Sequence, residues 1–192
     1  AVIKDGTPYR DGVHVIIRTR CASTACAARG GDPPSFVPHA RHVNDIITVG
    51  NVLNKDRLNA FSLSIWMRGT SPGTNSAFFR KQGPATAVAG YRLTQRTTAP
   101  VGLMFEFNNN NNGLANSLKA YCTNTLNDNL LHHVVLTYDG SSAAAGALIY
   151  IDGVAQAMTT FSDTLTATAI TSADLQIGEV IPALLRHASV WG

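Results

Sequence analysis

Along AFSLSIWMR (60–68) apolar and polar positions alternate: Phe61, Leu63, Ile65 and Met67 share one side, and Ser62, Ser64, Trp66 and Arg68 the other. A period of two marks an extended strand with one face in a core. Similar short runs predict strands at 13–19, 44–49, 76–81, 89–95, 101–107, 117–122, 132–138, 146–152, 154–160, 173–178 and 187–191. No stretch carries a sustained 3.6-residue stripe, and short turns at 53–59 or 181–186 are the most helix the pattern permits. Turn residues fall between the runs: Asp-Gly at 5, 11, 139 and 152, Asn-Gly at 112 and Pro-Gly at 72. Asp-Gly and Asn-Gly tolerate the positive φ of tight hairpins, and Asp152-Gly153, between ALIYI and VAQAMTT, is the strongest such signal. About a dozen short strands with no internal repeat predict an all-β chain, a two-sheet antiparallel jelly-roll sandwich. Residues 20–42, with Gly30-Gly31 and Pro33, Pro34 and Pro38, predict a long loop. The expected organisation is therefore an extended N-terminal arm with an edge strand over 1–42 and a sandwich over 43–192.

Composition sharpens this. The 192 residues hold only two Glu, Glu106 and Glu179, and 14% charged residues, which excludes a helical bundle or coiled coil. No apolar run approaches the ~20 residues a helical bilayer span needs. The net charge of +3 is uneven: residues 1–100 carry thirteen Lys and Arg against five Asp, residues 101–192 two against seven acids. A sandwich interleaves strands from both halves, so this imbalance need not become a basic face. The cations, Arg80, Lys81, Arg92 and Arg96 among them, are spaced singly and lack the aromatic interleaving of a nucleic-acid reader. Solvated strand faces are expected, with neither nucleic acid nor membrane as partner. Three cysteines argue against a disulfide scaffold. Cys21, Cys26, His39 and His42 read C-x4-C-x12-H-x2-H, close to a zinc spacing. The prolines between them forbid the helix that would present both histidines, and a plain loop is favoured over zinc. A local Cys21–Cys26 disulfide stays open.

HHVVLTYDGS (132–141) followed by ALIYIDGVA (147–155) resembles the central signature of laminin-G-like domains of the concanavalin A-like lectin/glucanase superfamily. NDIITVGN (44–51), AFSLSIWMRG (60–69), FFRKQG (78–83), GYRLTQ (90–95), LQIGE (175–179) and HASVWG (187–192) follow in the family's order, so the likeness spans about 43–192. Leu131 stands where the family usually has Trp. The resemblance implies a jelly roll with a concave face and loop rim that relatives use to bind carbohydrate or protein. Within the signature, His132 and His133 are adjacent and must point to opposite faces, which makes them structural, and Asp139 and Asp152 are turn residues.

Three function classes remain. Glycoside hydrolysis needs two carboxyl groups flanking one bond, yet Glu106 has no acid at 104 or 108 and Glu179 stands alone, so no catalytic residues are expected. A sugar-binding module would combine an aromatic platform with amide and acid groups, with or without calcium. Trp66, Tyr91, Tyr121 and Tyr150 are candidate platforms, and Asn108, Asn110, Asn127, Asp128 and Asn129 candidate polar groups. No cofactor is expected. The third class, a phage or virion-type decoration or fibre part in a symmetric homo-oligomeric assembly, is the leading expectation; it rests on the basic arm, the unpaired cysteine and the absence of a visible export signal. It implies a virion location, and secreted, extracellular glycan binding is the alternative.

Overall fold

The computed structural model describes residues 46–70, 75–83, 89–109, 115–179 and 183–191. The expected arm, its strand at 13–19, and Cys21, Cys26, His39 and His42 lie outside them. The described residues form twelve strands: β1 (Ile47–Gly50), β2 (Phe61–Thr70), β3 (Ser76–Gln82), β4 (Gly90–Arg96), β5 (Gly102–Asn108), β6 (Ser117–Cys122), β7 (Asp128–Tyr138), β8 (Ala147–Ile151), β9 (Val154–Ala155), β10 (Thr159–Asp163), β11 (Leu175–Glu179) and β12 (Ala183–Trp191). They make a seven-stranded sheet, ordered β1-β11-β3-β4-β5-β6-β10, and a five-stranded sheet, ordered β12-β2-β7-β8-β9. Every pairing is antiparallel. This is the two-sheet jelly-roll sandwich that the alternation predicts.

The alternation in β2 sets the interior. Phe61, Leu63, Ile65 and Met67 are buried and face Val134, Leu136 and Tyr138 of β7 and Ala147, Ile149 and Ile151 of β8 across their own sheet. From the other sheet Phe79, Tyr91, Leu93, Phe105, Phe107 and Leu118 close on them. An aromatic cluster joins the layers: Phe61 lies 4.9 Å from Tyr91 and 5.7 Å from Tyr138, and Tyr138 lies 5.8 Å from Phe105, centroid to centroid. Tilted and edge-on rings at such spacings stabilise beyond their buried area.

Three details differ from the sequence reading. The run at 154–160 is divided: β9 closes the Asp152-Gly153 hairpin for two residues, after which the chain crosses to the opposite sheet and β10 pairs with β6. Alternation reports a strand but not which sheet it joins. Residues 53–59 hold no helix, residues 183–186 lie in β12, and the described helical element is instead a 3-10 turn at Ala144–Gly146. Lys81, expected on a solvated face, is 1% exposed, its Nζ donating to Asn51 Oδ1 at 3.0 Å and to the Ala173 carbonyl at 2.6 Å. Lys81 pairs with Tyr91, whose ring is in the core, so strand parity turns it inward, and two oxygens make its burial tolerable.

Candidate functional site

Antiparallel register sets the outward side chains of the seven-stranded sheet in rows, since their in-strand neighbours fill the core. One row runs Gln82, Gly90, Asn108 and Ser117. The next runs Gln176, Arg80, Arg92, Glu106 and Lys119. A third runs Glu179, Ala77, Thr94, Met104 and Tyr121 in register. Rows lie two residues apart, ~7 Å.

The middle row is ionic. Arg92 Nη2 donates to Glu106 Oε1 at 2.8 Å, and Lys119 Nζ lies 3.5 Å from Glu106 Oε2. Glu106 is 2% exposed. Cations serve both of its oxygens, which offsets the cost of burying a carboxylate. The Arg96 guanidinium lies 3.7 Å from Met104 Sδ and covers the third row, which ends in an edge-on pair of Tyr121 with the exposed Phe161 of β10, centroids 6.5 Å apart.

The first row is polar and incompletely bonded. Ser117 Oγ donates to Ser162 Oγ at 2.9 Å. Both side-chain amide atoms of Gln82, Oδ1 of Asn108 and Nε of Arg92 are buried with no hydrogen-bond partner. Gly90 puts no side chain between Gln82 and Asn108. Orphaned polar atoms of this kind cost ~1–3 kcal/mol each, and several gathered on one face call for an explanation by function.

The sequence-derived candidates are dispersed by the fold. Asn108 and Tyr121 share this face, in its first and third rows. Tyr91 is a core residue, not a platform: its ring packs on Phe61 and Phe107, and its hydroxyl donates to the Leu53 carbonyl at 3.0 Å. Burial pushes that hydroxyl far above the ordinary phenol range. Trp66 lies on the outer face of the other sheet, stacked on His133 at 4.7 Å with a 19° tilt, and Tyr150 shares that face half-buried. Asn127 accepts from Gln95 Nε2 beside the start of β7. Asp128 is held there too, against His132 Nε2 at 3.0 Å. Asn110 lies outside the described residues. Gln82, Glu106, Lys119 and Phe161 were not singled out in the sequence as neighbours of Arg92 or Asn108, because only strand register shows that they share a face.

His132 sits between two carboxylates, with Nδ1 2.6 Å from Asp152 Oδ2 and Nε2 3.0 Å from Asp128. The carboxylates lie at opposite ring nitrogens and do not converge. Among the described residues no group of three or more His, Cys, Asp or Glu side chains is placed to hold a metal ion.

A family model described as the concanavalin A-like lectin/glucanases superfamily matches residues 42–182. The chain belongs to this superfamily. A search of curated proteins returns no match. Among solved structures, the binding domain of botulinum neurotoxin DC, in complex with rat synaptotagmin II, superposes with a TM-score of 0.51 at 14% identity, over 77% of this chain and 43% of that one. Galectin LEC-6 of Caenorhabditis elegans gives 0.44 at 12% identity, over 78% and 91%. Trypanosoma rangeli sialidase gives 0.45 at 16%, over 69% of this chain and only 20% of its own. At 14% identity the toxin domain shares the fold and nothing finer. The leading expectation of a virion part gains nothing from them.

Proposed function

We propose that this domain is a non-catalytic carbohydrate-binding module whose site is the outer face of the seven-stranded sheet. The observation that carries the reading is that one sheet face holds both the polar row of Gln82 and Asn108 and, two rows or ~14 Å away, the Tyr121–Phe161 ring pair with Phe161 exposed. Sugar hydroxyls both donate and accept, as do the Gln82 and Asn108 amides, whose buried polar atoms a ligand reaches only when the side chains covering them move aside. An aromatic ring pair supplies the apolar surface on which a pyranose ring rests. Galectin and toxin binding domains among the structural neighbours share the sandwich and lend the reading its context. The geometry does not favour glycoside hydrolysis: Arg92 and Lys119 already engage Glu106, and Glu179, at the β11 position in register with the third row, stands three strands, ~14 Å, from it, too far for a catalytic pair.

The test is a glycan array probed with the folded domain and three variants. Asn108→Ala and Tyr121→Ala are expected to lose the signal, and Trp66→Ala, on the opposite face, to keep it. Loss in Trp66→Ala alone would move the site to the other sheet.

A second reading concerns partners. Trp66 is 39% exposed, and Leu130, Leu131, Leu148 and Val154 are also exposed on or beside the outer face of the five-stranded sheet. Such a patch favours a protein contact, the part of the assembly expectation that the described residues motivate. Sedimentation that shows a monomer at every concentration would remove self-association as that contact.

A further inference from the structure

We infer that the outer face of the five-stranded sheet docks against the same face of a second copy of this chain, with Trp66 of each protomer seated over Ser62 of the other across a two-fold axis. The inference names the partner for the protein-contact reading above and rests on it. It is independent of the carbohydrate reading, which concerns the opposite sheet.

The register of β2, β7 and β8 lays out this face. Ser62, Thr137 and Leu148 make one row, Ser64, Val135 and Tyr150 the next, and Trp66 and His133 a third. Their in-strand neighbours Leu63, Ile65, Val134, Leu136 and Ile149 fill the core, so these side chains point away from it. Among the described residues these rows hold no Asp, Glu, Lys or Arg. The carboxylate beside them, Asp152 in the turn after β8, is already taken by His132 Nδ1 at 2.6 Å and by the His133 N–H at 2.8 Å. A face without fixed charge meets its own copy with no like-charge repulsion, and offers a charged partner nothing to pair with. The middle row of the other sheet, with Arg80, Arg92 and Lys119 around Glu106, has the opposite character.

Trp66 gives the face its relief. Its indole, 39% exposed, stacks on His133 at 4.7 Å, the spacing of adjacent strands, so the two rings stand side by side as one ridge. His133 is itself fixed, its Nε2 2.7 Å from Ser64 Oγ. Back along β2 the outward residues are only Ser64 and Ser62, which leave a hollow beside the ridge. Trp66 and Ser62 each lie two residues, ~7 Å, from Ser64. A two-fold axis laid across β2 at Ser64 therefore sets the ridge of each copy over the hollow of the other, the self-complementarity that an isologous contact requires. Sheets packed face to face lie ~10 Å apart with their side chains interdigitated, so a large ring needs a small residue opposite. The size also fits: β2 and β7 run ten and eleven residues in a sheet of five strands, and ~34 Å by ~24 Å gives up to ~800 Å², what a stable interface takes from each partner.

The experiment is sedimentation equilibrium of the full chain from about 1 to about 500 μM, a range in which the wild type is expected to pass from monomer to dimer. Trp66→Glu and Leu148→Glu place a charge on the face and are expected to weaken the dimer at least about thirtyfold. Val101→Glu, the same kind of change at an exposed residue ahead of β5 in the other sheet, should leave it intact. Ser62→Trp enlarges the apolar surface but fills the hollow, and is expected to weaken the dimer as well. Circular dichroism of each variant at the dilute end, matching the wild type, shows that its sandwich is folded. A wild type that stays monomeric throughout would overturn the second copy as partner and leave the face open to a different protein. A dimer undiminished in Trp66→Glu and Leu148→Glu would overturn both the inference and the protein-contact reading of this face, since the copies then meet elsewhere. Tighter association of Ser62→Trp would overturn the seating of Trp66 over Ser62, because a merely adhesive surface gains from added apolar area.

Discussion

His132 is the residue whose environment says most about its protonation. Burial by itself would lower it, but the hydrogen bonds it donates to Asp152 and Asp128 more than reverse this and hold it above the ordinary imidazole value. Asp152 is lowered by the His133 N–H and then by His132, and Asp128 by the Leu130 N–H and then by His132. A raised folded-state value means that the stabilisation from His132 is complete below its unfolded pKa, ~6.5, and vanishes as pH rises through the folded value above it. Lowered aspartates contribute fully above ~3.9 and lose their contribution as pH falls through their folded values. The clamp is therefore whole between about pH 4 and 6.5. Urea midpoints of the wild type and His132→Gln should differ most near pH 5–6 and converge toward pH 8; a difference undiminished at pH 8 would contradict the clamp. Tyr138 offers a second test. Its hydroxyl donates to the Arg57 carbonyl at 2.6 Å and accepts from Ser142 N at 2.8 Å. Tyr138→Phe leaves both backbone groups short of a partner and should cost ~1–3 kcal/mol by urea denaturation. Neither contact was legible in the sequence. The adjacency of His132 and His133 showed only that they take opposite faces; the partners of His132 are Asp152, in the turn after β8, and Asp128, at the start of β7.

Among the elements, the hairpins were the most legible. Asp152 and Gly153 have φ of +52° and +81°, as a tight Asp-Gly turn requires. At Gly153 a Cβ would meet nothing within 4 Å, so Gly153→Ala carries only the strain of its backbone, ~1 kcal/mol. Gly102 is different: at φ +135° a Cβ would lie 1.9 Å from the Cys122 carbonyl oxygen in the neighbouring strand. Gly102→Ala must shift β5 against β6 and should cost more than roughly 2 kcal/mol. Paired thermal melts should show the second substitution lowering the midpoint further than the first, and the reverse order would contradict this account of β5. Strand ends were less legible. β7 begins at Asp128, earlier than the 132–138 run, because Asp128 to Leu131 are all exposed and carry no alternation to read. Arg92, Glu106 and Lys119 stand on three strands and meet only through a register that depends on turn lengths and bulges.

At the scale of the whole molecule the two sheets share one core, so Cys122 reports on the fold as a unit. It is buried beneath both layers, and burial pushes its thiol upward, which suppresses the reactive thiolate. In a Cys21→Ser, Cys26→Ser background, Cys122 should resist a thiol reagent in native buffer and react at the rate of global opening. Rapid labelling without unfolding would show that the layers part locally. The alternation along the chain, by itself, determined that this protein is an all-β sandwich and which residues of β2 face inward, because a half-buried strand must repeat every second residue to keep its apolar face out of water. The signature around 132–155 also disclosed the superfamily. Only the tertiary structure decided that β10 leaves its hairpin for the other sheet, that Lys81 turns inward, that Tyr91 is core, and that Arg92, Glu106, Lys119, Gln82 and Asn108 assemble into one face. Those outcomes depend on which strands become neighbours and in what register. That choice is made by contacts between residues far apart in the chain, which a local period does not encode.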